Sequence, residues 1–122
     1  METRNNKPNF YRVIACNGGL IVPLVGHTAV AKKHAAAKNL AAGQNVCLVR
    51  EPNNQYDKNA VAIHTEEGDE LGYCPRQVAA VIKNVVGQMT ATVVRVKEFW
   101  SPGYEAPGLS VKLKLEFNDN GK

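Results

Sequence analysis

No part of this 122-residue chain is apolar for anything close to the ~20 residues of a bilayer-spanning helix, so no membrane contact is expected. Charge of one sign is also thin. The 15 Lys and Arg stand against 11 Asp and Glu, a net charge of +4, and with 44% hydrophobic residues that excludes general disorder. Cysteine is scarce: Cys16, Cys47 and Cys74 are far apart and form no C-x-x-C pair. Such a set argues against a disulfide framework or a zinc site and predicts buried free thiols, with no metal and no cofactor. The N-terminal Met1-Glu2-Thr3-Arg4-Asn5-Asn6-Lys7-Pro8 has no apolar signal segment, so a cytoplasmic protein is expected. Neither G-x-x-x-x-G-K-[ST] nor G-x-G-x-x-G occurs, which removes nucleotide-driven work.

What is present reads as one globular domain over residues 9–118, with a polar lead at 1–8 and a short tail at 119–122. Strand-like strings at 9–16 and 20–25 flank Asn17-Gly18-Gly19, and Pro23 pushes the second toward an edge or a bulge. Thr28 is placed to cap an alanine-rich helix over 30–42, with Gly43 as its stop and its lysines in water. Apolar runs at 46–49 and 60–64 predict buried strands. The acidic turn Glu66-Glu67-Gly68-Asp69 then leads into a short return strand at 70–73. Pro75 opens a second helix, with Val78, Val81, Ile82 and Val85 at helical spacing up to Gly87.

The end of the chain has the clearest period. Leu109, Val111, Leu113, Leu115 and Phe117 alternate with Ser110, Lys112, Lys114 and Glu116, a strand with one buried and one wet face, and residues 88–99 supply its antiparallel partner. Leu113 and Val61 are expected in the core. Six or seven strands interrupted by two helices predict a mainly β fold, a partly open six-stranded barrel rather than a sandwich.

The segment that carries chemistry is Arg50-Glu51-Pro52-Asn53-Asn54-Gln55-Tyr56-Asp57-Lys58-Asn59, a polar loop between two apolar strands. It is longer than a simple connection needs and gathers amides, a phenol, a carboxylate and cations at a strand exit. Such groups hold phosphates, sugars and bases, yet they also build self-satisfied turns, and the residues alone leave ligand binding and a structural loop evenly matched. With the flanking Leu48-Val49 and Ala60-Val61-Ala62-Ile63, and the later Glu70-Leu71-Gly72-Tyr73-Cys74-Pro75, the segment strongly resembles the HIRAN domain over roughly residues 20–117. That family occurs at the N-terminus of SNF2-type DNA remodellers and as small stand-alone proteins.

The resemblance implies a modified OB-like barrel whose groove receives the 3′ end of single-stranded DNA, in settings such as DNA repair. It places Asn53, Asn54, Tyr56 and Asp57 on the groove loop. Asp57 would accept from the 3′-hydroxyl, Tyr56 and Asn54 would address the terminal phosphate or sugar, and Lys58, with Arg50 nearby, would add positive field. Where DNA-binding members carry an Arg and aromatics, this chain has Gly26-His27-Thr28, and Gln55 stands where a proline often precedes the tyrosine. Stacking aromatics are sought instead in Phe99, Trp100 and Tyr104, which equally suit a lid over the barrel end. Tyr73 reads as packing. Lys32, Lys33 and Lys38 either meet phosphates or are simply solvated. His27, His34 and His64 show no metal-ligand spacing.

The expected function is therefore a non-catalytic module for single-stranded DNA ends, with a DNA-processing protein as a further partner. The alternative is an adaptor or inhibitor whose loop binds a protein or a small nucleotide. A nuclease is disfavoured because only Glu51 accompanies Asp57, whereas metal-dependent phosphodiester chemistry gathers several carboxylates.

Overall fold

The computed structural model describes residues 19–27, 31–100, 102–103 and 108–117; the strand expected at 9–16, the Thr28 cap, Cys16 and Tyr104 lie outside them. Six strands form one antiparallel sheet: β1 (Leu20–Pro23), β2 (Asn45–Arg50), β3 (Val61–Thr65), β4 (Glu70–Tyr73), β5 (Met89–Phe99) and β6 (Gly108–Phe117), in the order β1-β6-β5-β2-β3-β4. Helix α1 (Ala31–Lys38) separates β1 from β2, and helix α2 (Arg76–Ile82) with a 3-10 turn (Val86–Gln88) separates β4 from β5.

The sheet curls until its two edges meet. The Val25 N–H donates to the Tyr73 carbonyl at 2.9 Å, and the Tyr73 N–H donates to the Val25 carbonyl at 2.8 Å. This single bridge between the chain just past β1 and the end of β4 makes the expected partly open, OB-like barrel. Gly72 permits it. Its φ is +156°, and a Cβ there would stand 2.4 Å from the Val25 carbonyl oxygen.

The alternation in β6 turns Leu109, Val111, Leu113 and Leu115 inward and leaves Lys112 exposed. β1 and the two residues after it alternate likewise, with Leu20, Val22 and Leu24 buried and Ile21, Pro23 and Val25 outside, and Pro23 lies on an edge strand as its missing N–H requires. Val61, Ile63 and Leu71, with Ile82 from α2, join them in the core.

Four expectations are corrected. Helix α2 ends at Ile82, short of Gly87, and Phe117 stands exposed rather than on the buried face of β6. Helix α1 ends at Lys38 rather than running to residue 42. The Asn39 and Leu40 N–H groups bond back to Ala36 and Ala37 at 3.2 and 3.1 Å, and Leu40 turns into the core. The following chain is drawn onto β5, where the Gly43 N–H donates to Val93 at 2.7 Å and Gln44 accepts from Val93 at 2.8 Å. Sheet bonding there overrides the propensity of Ala41 and Ala42. Cys47 is exposed rather than buried, because β2 turns only Val46 fully inward, while Cys74 is buried as expected.

Candidate functional site

The polar loop is built from its own side chains. Arg50 and Val61 are in register and the Glu51 N–H bonds the Ala60 carbonyl at 3.0 Å, so the β2–β3 ladder closes its base. The Asn54 N–H bonds the Glu51 carbonyl at 3.0 Å, and Asn54 Oδ1 accepts from the N–H groups of Tyr56 (2.8 Å) and Asp57 (3.0 Å). Asp57 Oδ1 accepts from the Asn59 N–H at 2.9 Å, and Asn59 Oδ1 accepts from Lys83 Nζ at 2.8 Å, tying the loop to the end of α2. Asn and Asp are suited to this because their short side chains reach backbone N–H groups two or three residues on.

One wall of a cavity of about 460 Å³ consists of Asn54, Tyr56, Asp57 and Ala60. The other wall is Val25, Tyr73, Cys74 and Arg76: β4 pairs with β3, placing Tyr73 in register with Ala62, the first turn of α2 carries Arg76, and the barrel closure adds Val25. Glu51 joins the walls from behind: its Oε1 accepts from the Tyr73 hydroxyl at 2.8 Å and from Asn54 Nδ2 at 2.9 Å. Lys33 of α1 lies 5.0 Å from the centre of the Tyr73 ring, a cation–π contact. Arg76 Nε stands 3.6 Å from Asp57 Oδ2, with the arginine side chain 77% exposed and the aspartate 21%. A carboxylate oxygen and a guanidinium thus face one apolar-walled hollow, an acceptor beside an anion holder.

The structure distributes the expected site residues unevenly. Asn54, Tyr56 and Asp57 line the cavity, whereas Arg50 and Asn53 line a shallow depression on the other side of the loop with Pro52. Lys58 is exposed and lines neither. Tyr56 stands 83% exposed at the rim. Phe99 and Trp100 are exposed at the far end of β5, outside the cavity wall, and Tyr104 lies outside the described residues. His27 is buried, its Nε2 2.6 Å from the Leu109 carbonyl, a bond that needs the proton on Nε2. Tyr73 and Arg76 are the residues that sequence reasoning passed over. Their signal was present in Leu71-Gly72-Tyr73-Cys74-Pro75-Arg76, but a strand end and a helix start carry local explanations of their own.

Burial pushes the Cys74 thiol up to about 12, and burial followed by the bond to Glu51 pushes the Tyr73 phenol up to about 12. Both groups are neutral when protonated, so the folded state binds their protons more tightly than the unfolded chain. Their stabilising contribution is complete below the unfolded values, ~9 for Cys74 and ~10 for Tyr73, and is lost as pH rises toward 12. Urea denaturation between pH 8 and 11 is expected to show stability falling from about pH 9 and more steeply past 10, each proton contributing at most ~1.4 kcal/mol per pH unit. Cys74→Ala should flatten the first part of the decline and Tyr73→Phe the second; an unchanged profile in both variants would contradict this account.

Comparison with known proteins places the chain. The sequence profile of the HIRAN domain matches residues 18–117. The helicase-like transcription factor of Mus musculus is 39% identical over 54 residues, 44% of this chain, and that of Homo sapiens is 32% identical over 54 residues. In each case the matched stretch is 5% of the relative's length. A crystal structure of a Lactobacillus plantarum protein superposes with a TM-score of 0.57 at 26% identity, covering 80% of this chain and 94% of that one. The HIRAN domain of human HLTF also superposes at 0.57, with 20% identity over 84% of this chain and 78% of that one, and this likeness bears on the fold. With the profile match spanning the barrel from its first described strand to its last, the chain belongs to the HIRAN domain family.

Proposed function

We propose that the chain is a non-catalytic binding domain for single-stranded DNA, and that its cavity receives the terminal nucleotide at a free 3′-hydroxyl. Membership in a family shared with a helicase-like transcription factor supports a nucleic-acid ligand. The observation that carries the finer reading is the placement of Asp57 Oδ2 3.6 Å from Arg76 Nε on the wall of one cavity. Asp57 Oδ1 is occupied by the Asn59 N–H, which fixes the carboxylate and leaves Oδ2 for a hydroxyl donor. Arg76 suits the phosphate of the same nucleotide, and the exposed Tyr56 ring offers a face to its base. Asn54 acts through the loop, since its amide already serves Glu51, Tyr56 and Asp57.

The carboxylate also rejects. A terminal 3′-phosphate would bring like charge against Asp57 at about 4 Å, worth about 1 kcal/mol of repulsion in water and about 4 at an effective dielectric of 20. Wild-type protein is therefore expected to bind a 3′-hydroxyl strand at least ~10-fold more tightly than its 3′-phosphate counterpart. Asp57→Asn keeps an oxygen for the Asn59 N–H and removes the charge, so the melting temperature should shift little while the preference shrinks to ~2-fold. Anisotropy titrations with paired oligonucleotides check both. Equal affinity of the wild type for both ends and for duplex would remove the end-recognition reading.

A further inference from the structure

The outer wall of the barrel beside the cavity carries cations that neither the core nor the cavity uses. Register places Arg95 of β5 directly opposite Lys112 of β6, and Lys112 opposite Pro23 of β1. Lys97 follows on the same face of β5, opposite Ser110, because Val96 and Val111 between them pack inward. Among the described residues no carboxylate pairs with Arg95, Lys97 or Lys112; Glu98 is taken by Lys38 at 3.3 Å, and Glu116 by Lys114 at 3.6 Å. Like charges directly opposite in a sheet cost stability, so the fold does not account for Arg95 facing Lys112.

The cavity and these cations share one surface. Val25 lines the cavity and has the outward parity of Pro23 two residues earlier, and Pro23 leads in register to Lys112 and then Arg95. Neighbouring strands are ~4.8 Å apart and same-face residues on one strand ~6.6 Å apart. The route from rim to first cation is accordingly about one strand spacing and one same-face step. Resting on the cavity reading above, we infer that this outer face is a backbone track: the strand whose 3′ nucleotide enters the cavity continues past Val25 and Pro23, with successive phosphates held by Lys112, Arg95 and Lys97. The cross-strand repulsion is then relieved when phosphate arrives.

The test compares a dinucleotide and a 12-nucleotide strand, each with 3′-hydroxyl and 3′-phosphate ends, on wild type and on Arg95→Gln/Lys112→Gln. The wild type is expected to bind the 12-mer at least ~10-fold more tightly than the dinucleotide, and the variant to lose most of that gain. Its salt slope, log K against log salt, should become shallower by ~1.4, from ~0.7 per phosphate contact on single strands. Dinucleotide affinity and the preference between ends should stay as in the wild type, and the melting temperature should hold or rise once the repulsion is gone. A wild type that gains nothing with length, or a variant with the wild-type gain and salt slope, overturns the track. A wild type blind to the 3′ end whose length gain still disappears in the variant would sink the cavity reading and leave the track standing. Loss of binding to phosphatidylserine vesicles, with the length gain intact, would instead assign the face to a membrane surface and overturn it.

Discussion

Gly72→Ala is expected to cost about 3 to 5 kcal/mol, a large share of the 5–15 kcal/mol that holds a domain of this kind together. Two terms add. The backbone at Gly72 has φ +156°, a region L residues rarely adopt, and such conformations cost about 1–3 kcal/mol. The new methyl would also lie 2.4 Å from the Val25 carbonyl oxygen, with a Leu24 methyl at 3.1 Å. The carbonyl cannot step back, because it accepts the Tyr73 N–H that closes the barrel. Relief therefore means opening the β1–β4 seam, which also separates Val25 from Tyr73 in the cavity wall. Gly87→Ala is the control. Nothing lies within 4 Å of a Cβ there and its φ is not positive, so that substitution should stay within about 0.5 kcal/mol of wild type. Urea unfolding of the two variants checks the contrast, and equal stability of the pair would refute the seam argument.

The same seam shows what could be seen in the chain before it folds. The β6 alternation is a local property of Leu109 to Phe117, decided by which side chains avoid water, and it names Leu113 correctly as fully buried. The polar loop was equally visible, because Asn and Asp at that density between two apolar runs mark a built turn. Half of the cavity was not. Tyr73 and Arg76 lie 16 and 19 positions beyond Asp57, and only the β3–β4 pairing, with Tyr73 in register with Ala62, brings them to the loop, while the Val25 bridge adds the remaining part of the wall. Tyr73 looked like packing because one residue of a four-residue strand has no period to betray its direction. Cys47 misled for a related reason: Val46-Cys47-Leu48-Val49 is apolar throughout and hides its period, yet strand alternation turns Val46 inward and Cys47 outward.

Glu51→Ala is expected to damage stability and binding together, more than the loss of any single cavity-lining side chain. Glu51 does not line the hollow, but its Oε1 is bonded to both walls, by Asn54 Nδ2 at 2.9 Å and by the Tyr73 hydroxyl at 2.8 Å. Hydrogen bonds to a charged acceptor contribute ~1.5–3 kcal/mol each, and since this pair is only partly buried we expect a combined cost of ~2–3 kcal/mol. Without Glu51, Asn54 loses the partner that orients its amide, and with it the firm hold of Oδ1 on the Tyr56 and Asp57 N–H groups. Asp57 Oδ2 then no longer has a fixed place beside Arg76, and misplacing a recognition group lowers affinity even when every contacting residue remains. Binding of a 3′-hydroxyl strand should fall at least ~10-fold, equivalent to ~1.4 kcal/mol. Glu51→Gln separates geometry from charge: its amide oxygen still accepts from Asn54 and Tyr73, so most of the stability and binding should return. The alkaline decline assigned to Tyr73 should shrink in the same variant, because the carboxylate that helps hold the phenol protonated is gone. Folding and binding measured side by side on the alanine and glutamine variants decide the matter, and an alanine variant that keeps wild-type affinity would show that the two walls stand without their shared oxygen.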